Sequence, residues 1–338
     1  MILPEPTVVW GAGAMGGSIG GSLARLGRSV LFVDSDAEHC MAIAENGLKV
    51  TGPVEDLTVD VACLVPEQMD PGVQVVLLCV KAHHTEQAMK VMAPLLADDG
   101  FVVSVQNGLN ERVIARYVGE ERTVGCFVNF GADVVEPGVV HRGNRGAVVV
   151  GELDGSLTPR IRAVHRMFTA FEPDAILTDN IWGYLWGKLA YGALLFATAL
   201  SDASIADVLD SKPHRPMLVE LAREVMRVAQ ARGVKPEGFD GFLPMAFAPG
   251  ADDFQAEASL DRLVAFNRNS AKTHSGVWRD LAVRRRKTEV DAQIAPIAEI
   301  GAELGVETPL VDRLIQLIHD VEEGVRPQGW ETLDRMMG

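Results

Sequence analysis

The sequence of 338 residues predicts two domains, a doubly wound α/β domain over 1–177 and an all-α domain over 178–338. Two observations predict this. In the first half, short β-branched runs alternate with helical stretches, and the middle runs are apolar throughout. Strands covered by helices on both faces have that character. Beyond about residue 178 the texture becomes helical, with Trp182, Leu185, Trp186, Leu189, Ala193 and Ala197 recurring along one face.

Taken in order, strands are expected at 7–10, 29–33, 73–80, 101–105, 123–128 and 147–151. The turn-forming groups Glu136-Pro137-Gly138 and His141-Arg142-Gly143-Asn144 predict a hairpin late in the first domain. Helices are expected at 216–231, 253–269, 289–304 and 309–323. Gly233, Gly305 and Gly324 lie just past helix ends, where a left-handed cap is wanted. Residues 238–250 hold several glycines and prolines and form a long connection. No internal repeat or low-complexity segment is present.

Directly after the first strand comes Gly11-Ala12-Gly13-Ala14-Met15-Gly16, then a helical stretch, a second strand and Asp34. A lone GxGxxG would be weak in a chain with 33 glycines, but strand, turn, helix, strand and acid in this order form a Rossmann-type dinucleotide site. Gly11 permits the tight turn, Gly13 lets backbone approach a pyrophosphate, and Gly16 lets helix and strand pack closely. The N–H groups of Ala14, Met15 and Gly16, at the helix start, face the phosphates. Asp34 is placed to accept hydrogen bonds from the adenosine ribose and to repel a 2′-phosphate, and Ser35-Asp36-Ala37-Glu38 supplies no cation. NAD(H) is therefore favoured over NADP(H). The structural alternative is that Asp34, Ser35 or Asp36 merely caps the next helix.

Composition narrows the class. Net charge is −15, with 31 basic against 46 acidic residues, which argues against a nucleic-acid partner. An anionic substrate would need locally placed cations. Cys40, Cys63, Cys79 and Cys126 show no ligand-like spacing and suit free, mostly buried thiols in a reducing cytosol. The N-terminal residues lack the cationic region of a signal peptide, and the uncharged run 189–200 is too short to span a bilayer. A cytoplasmic protein without membrane contact is expected.

Three further segments carry chemistry. Val80-Lys81-Ala82-His83-His84 and Gln106-Asn107-Gly108 each follow a strand, and ligand sites in open parallel sheets lie beyond strand carboxyl ends. Singly, Lys81 could be a solvated charge and Asn107-Gly108 only a turn. The third is Trp186-Gly187-Lys188-Leu189-Ala190 in the first helix of the second domain. A lysine on a helix ordinarily reaches solvent, yet these apolar neighbours suggest partial burial. Glu289, in Lys287-Thr288-Glu289-Val290-Asp291, is its candidate partner.

With these motifs in hand, the chain resembles the ketopantoate reductase (2-dehydropantoate 2-reductase) family over nearly its whole length. The N-terminal glycines, Val-Lys-Ala, Gln-Asn-Gly, Trp-x-Lys-Leu and Thr-Glu-x-Asp occur in the family's order. The resemblance implies a Rossmann domain, a helical C-terminal domain, an active site in the cleft between them, and reduction of a small anionic 2-keto acid by nicotinamide hydride. It implies Lys188 as the catalytic lysine, Glu289 as its acidic helper, Asn107 near nicotinamide and substrate, and Lys81 lining the cofactor site. A homodimer through the apolar helices is suggested by the same architecture.

Departures from the family pattern bear on substrate. Characterised members place asparagines four and eight residues after the lysine, where this chain has Gly192 and Phe196. A void and an aromatic wall replace two polar anchors. Ser275, in Lys272-Thr273-His274-Ser275-Gly276-Val277-Trp278, is the hydroxyl left to contact substrate. The Asn-Gly pair often following Thr-Glu-x-Asp is Ile294-Ala295 here, and Asp34-Ser35 stands where many members carry a basic residue for NADPH. A divergent branch acting on a related keto or hydroxy acid is expected. The alternatives are a dehydrogenase of another hydroxy acid or opine type, and a non-catalytic dinucleotide sensor.

Three other clusters are demoted. His83 and His84, neighbours at a strand end, should point to opposite sides, and no metal is expected. Arg284-Arg285-Arg286-Lys287 suits a solvated helix face, with local attraction of an anionic substrate as the sharper reading. His274-Ser275 lacks the geometry of a nucleophile and base.

Overall fold

The computed structural model describes residues 1–269 and 273–338. They divide into two compact units, Met1–Ile181 and Trp182–Gly338, a few residues after the change of texture in the sequence.

The first unit carries strands β1 (Thr7–Trp10), β2 (Val30–Val33), β3 (Leu48–Thr51), β4 (Leu57–Val59), β5 (Ala62–Leu64) and β6 (Val73–Leu78). After them come β7 (Leu96–Ser104), β8 (Thr123–Val128), β9 (Ala132–Glu136), β10 (Val139–Arg142), β11 (Val148–Glu152) and β12 (Ile176–Leu177). Its helices are α1 (Ala14–Arg25), α2 (Ala37–Asn46), α3 (Thr85–Met92), α4 (Glu111–Val118) and α5 (Pro159–Phe171). Eight strands form a sheet in the order β12-β11-β8-β7-β6-β1-β2-β5. It is parallel from β5 to β8, while β11 joins β8 antiparallel. The chain winds from β1 outward to β2 and β5, then crosses to β6 on the other side of β1. The order thus reverses between β1 and β6, and ligands of open α/β sheets bind at the strand ends beside such a reversal.

Both faces of this sheet are covered. Val8, Trp10, Val76, Leu78 and Val102 pack with Met89, Met92 and Ile114 from α3 and α4. The alternate residues Val9, Phe32, Val75, Leu77 and Val103 pack with Ile19 and Leu23 of α1 and Ile161, Val164 and Phe168 of α5. Period-two alternation in the strands therefore feeds two cores, which explains why the sequence runs looked apolar throughout.

The remaining strands form a second sheet, β4-β3-β10-β9, which the sequence foreshadowed only as the hairpin turning at Glu136-Pro137-Gly138. Helix α1 lies between the sheets. A Cβ on Gly16 or Gly20 would press on Val9, and on Gly20 also on the Phe32 ring. A Cβ on Gly17 or Gly21 would press on Val140 or Val50 of the small sheet. Mid-helix glycine costs about 1 kcal/mol against alanine. Here the absent side chains let two sheets close on one helix, so the cost is offset by packing. Arg142 ties the layers together. Its buried guanidinium pairs with Glu55 at 2.9 Å and Glu172 at 2.8 Å, with the Phe171 ring centroid 4.0 Å away.

The described residues of the second unit form no strand, as expected for an all-α domain. They comprise α6 (Ile181–Thr198), α7 (Ile205–Asp210), α8 (Arg215–Ala231), α9 (Asp253–Arg268), α10 (Gly276–Ala282), α11 (Val290–Gln293), α12 (Ala295–Leu304), α13 (Pro309–Glu322) and α14 (Trp330–Asp334). Gly233, Gly305 and Gly324 have φ of +77°, +69° and +72°, the left-handed caps their positions predicted. The single helix expected at 289–304 is instead two, joined at Ile294. Pro296 in the first turn of α12 cannot donate a backbone hydrogen bond, so the helix restarts there. Buried Arg215 of α8 binds Asp210, Glu257 and Asp261 from α7 and α9. Glu224 of α8 accepts the Leu310 and Val311 N–H groups at 2.9 and 2.8 Å, capping α13. No helix among the described residues is long and apolar enough to cross a membrane.

Candidate functional site

The glycine loop leaves β1 beside the reversal in strand order. Gly11 has φ +103°, and a Cβ there would lie 2.8 Å from Val80 N. A Cβ on Gly16 would sit on the Gly11 carbonyl oxygen. Both glycines are therefore required by the turn itself. Gly13 differs: its Cβ would meet only Val134, at 3.9 Å. The space before it is open, which suits a close-lying diphosphate. Helix α1 begins with no side-chain cap and no acidic residue in its first turn, leaving its N-terminal dipole for an anion.

Asp34 directly follows β2 and turns back to the loop. Its Oδ2 accepts the Ala12 N–H at 2.7 Å, and its Oδ1 accepts the Asp36 N–H at 3.0 Å. The cap of α2 is Asp36, whose carboxylate accepts the His39 N–H. Asp34 is thus free of capping duty and fixes the glycine loop. His39, which sequence reasoning missed, holds the other side of the same residue. Its Nδ1 accepts the Gly138 N–H at 3.1 Å, so Nε2 carries the proton and donates to the Ala12 carbonyl at 3.0 Å. No local pattern announces this contact, because Gly138 is 99 residues away.

The loops after β6 and β7 start from neighbouring strands at the same sheet edge, since Cys79 N–H donates to Trp10 O and Val105 N–H to Leu78 O. Lys81 precedes a short turn and is half-buried. Asn107 is exposed, and Gly108 has φ +98°. Gln106 locks the two loops together. Its amide nitrogen donates to Val80 O at 2.8 Å and to Thr85 Oγ1 at 2.7 Å, while Asn110 donates to Asn107 O at 2.6 Å. Next to this loop lies Glu111, fully buried, with neither carboxyl oxygen in a hydrogen bond of ordinary geometry. Burial pushes its carboxyl up to about 7, with its own N–H and the Ser104 hydroxyl pulling weakly the other way. Its burial was not legible in the sequence, where it is one more acid at a helix start.

In the helical unit Lys188 lies on α6 and is half-buried, not wholly solvated. One turn on, a Cβ at Gly192 would meet nothing within 4 Å, whereas Phe196 is only 1% exposed. Glu289 directly precedes α11 and is held by its neighbours. Thr288 binds Glu322 of α13 through both its N–H, at 2.6 Å, and its hydroxyl, at 2.7 Å. Asp291 pairs with His319 of α13 at 2.8 Å. Glu322 and His319, which the Thr-Glu-x-Asp motif did not reveal, thus anchor the residues on either side of Glu289. Ser275 is buried and caps α10, its Oγ accepting the Trp278 N–H at 3.1 Å, which leaves the hydroxyl proton to donate.

Two expectations are corrected. His83 and His84 do not diverge: they sit in a tight turn, not a strand, with Nε2 atoms 3.0 Å apart. The basic run is not a helix face. Helix α10 stops at Ala282, and Arg284 and Arg286 fold onto nearly buried Asp280 at 2.9 and 2.8 Å. Arg285, exposed with φ +49°, makes the turn between them.

The sequence matches the family profile "Ketopantoate reductase PanE/ApbA" over residues 7–155 and its C-terminal counterpart over 180–322. The chain belongs to the ketopantoate reductase family. Its class of activity is that of a dinucleotide-dependent hydroxy-acid oxidoreductase. A 2-dehydropantoate 2-reductase of Pyrococcus abyssi is 28% identical over 306 residues, covering 89% of this chain and 93% of that one. A family ketopantoate reductase from Ralstonia eutropha JMP134 superposes with TM-score 0.79 at 26% identity, covering 94% and 99% of the two chains. D-mandelate dehydrogenase, solved with NADH and anilino(oxo)acetate, shares the fold at TM-score 0.81 and 22% identity, covering 95% and 99%.

Proposed function

We propose that this protein interconverts a small 2-keto acid and its 2-hydroxy acid, with NAD(H) as the favoured dinucleotide. The observation that carries the reading is the pairing of an open, uncapped glycine turn with the Asp34 carboxylate on its backbone. A nicotinamide dinucleotide held there supplies or accepts the hydride. Gly11, Gly13, Ala14, Met15 and Gly16 grip its diphosphate, Asp34 accepts from the adenosine ribose, and Lys81 and Asn107 line the loops beside it. Lys188 donates a proton to the substrate oxygen on which charge develops, and Glu289 orients that ammonium or accepts from the hydroxyl. Ser275, Asn107 and the surface around Gly192 contact the substrate, a small anionic keto or hydroxy acid, whereas Phe196, only 1% exposed, packs into the interior one turn further along α6.

Gly192 directs the choice of acid. With open space where relatives carry a hydrogen-bonding amide, the site accepts substituents lacking a hydroxyl. Gly192→Asn fits that space, and should raise kcat/KM for hydroxyl-bearing 2-keto acids about 5- to 10-fold over their deoxy analogues, one hydrogen bond's worth. Unchanged ratios would remove Gly192 from the substrate surface.

Asp34→Ala removes both the ribose acceptor and the partner of the Ala12 N–H. Charged hydrogen bonds of this kind are worth about 1.5–3 kcal/mol, so NADH should bind roughly 10- to 100-fold more weakly, with NADPH affected less. Fluorescence titration of both cofactors checks this. The reading as a whole is tested by a panel of 2-keto and 2-hydroxy acids followed at the nicotinamide absorbance with each cofactor. Tight dinucleotide binding with no turnover across the panel would favour a sensor instead.

A further inference from the structure

Cys40 on α2 and Cys63 on the edge strand β5 are both buried, and their sulfurs stand 2.7 Å apart. Buried free cysteines ordinarily serve as small apolar side chains. Atoms in such packing keep about 3.5–4.0 Å between carbons, and sulfur is larger. This pair is well inside that separation and about 0.7 Å from the covalent S–S distance. We propose that Cys40 and Cys63 are a reversible modification site, a dithiol that closes to an intrachain disulfide by exchange with a small-molecule disulfide of the glutathione type.

The chemistry balances without a further reactant. One cysteine thiolate attacks a sulfur of the small disulfide, breaking its S–S bond, forming a mixed disulfide and expelling one small thiolate. The second cysteine thiolate attacks the sulfur of the first, forming the intrachain bond and expelling the second small thiolate. The protein loses two electrons and two protons, and both appear on two small thiols. Burial pushes both cysteine thiols up, so thiolate is scarce and exchange is slow while α2 and β5 stay closed. Strand β5 pairs with β2 alone at the sheet edge, the kind of element that opens locally. Closure would staple α2 to the strand end where Asp34 N–H bonds Leu64 O, since Cys40 Sγ already lies 3.5 Å from that carbonyl.

The test uses the full chain, incubated with oxidised glutathione at alkaline pH in sub-denaturing urea until the thiol count is constant. Two thiols should disappear together, and peptide mass spectrometry should find Cys40 joined to Cys63, a bond that excess reduced glutathione reopens. Cys63→Ser should leave Cys40 carrying glutathione, and a Cys79→Ser, Cys126→Ser double variant should form the bond unchanged. Four surviving thiols, separate glutathione adducts on Cys40 and Cys63 of the parent chain, or a bond involving Cys79 or Cys126 would each overturn the proposal.

Discussion

Lys188→Ala is expected to lower kcat about 10²–10⁴-fold while leaving dinucleotide affinity within twofold of the parent, because general-acid and electrostatic assistance are lost together. The split follows from placement. Lys188 belongs to α6 in the unit Trp182–Gly338, whereas the glycine turn and Asp34 belong to Met1–Ile181. Half-buried Lys188 sits in a helix whose neighbouring residues Leu185, Trp186, Leu189 and Ala190 are all buried, so removing its side chain should cost charge and not scaffold. Lys188→Arg retains the charge but releases a proton far less readily, since a guanidinium holds its proton much more tightly than an ammonium, and should recover only part of the rate. Steady-state kinetics beside a fluorescence titration reads both quantities. Undiminished turnover with dinucleotide still bound would remove Lys188 from the chemistry.

What the sequence could and could not disclose follows from the range of the interactions. The glycine turn, Asp34 and the strands at Thr7–Trp10 and Thr123–Val128 are legible because their signals are local: a required backbone conformation, or apolar residues on both faces. The three left-handed helix caps are legible for the same reason. The second sheet was nearly invisible. Strand β4 has three residues and β9 is mostly exposed, so neither carries a readable alternation. The sign of it that the sequence did contain was the doubled glycine pairs of α1, Gly16-Gly17 and Gly20-Gly21, which only a helix pressed from two sides requires. At the site, the motif residues were legible and their supports were not. His39 reaches Gly138, and Thr288 reaches Glu322, across separations that no spacing rule encodes.

Glu111 supplies the second large effect, a pH dependence of the dinucleotide-binding unit. Its carboxyl rises from an ordinary 4.5 to about 7 because it is fully buried at the foot of α4, and the helix dipole that would favour the anion does not outweigh that burial. The sign follows from proton uptake. A folded state that holds its proton more tightly than the unfolded chain is fully stabilised below about 4.5, loses that advantage as pH rises, and has lost it all above about 7. At about 1.4 kcal/mol per pH unit the total is roughly 3 kcal/mol. Glu111→Gln keeps the shape and removes the titration, so its stability should stay flat over this window and exceed the parent's above neutrality. Hydrogen exchange of the β7–α4 peptides, read by mass spectrometry across the window and corrected for intrinsic rates, measures the local opening free energy. Parallel pH profiles for parent and variant would show that the buried acid does not titrate there. A parent profile that falls between about 4.5 and 7, against a level Glu111→Gln profile, would tie the order of the Gln106-Asn107-Gly108 loop to one proton on the acid that follows it.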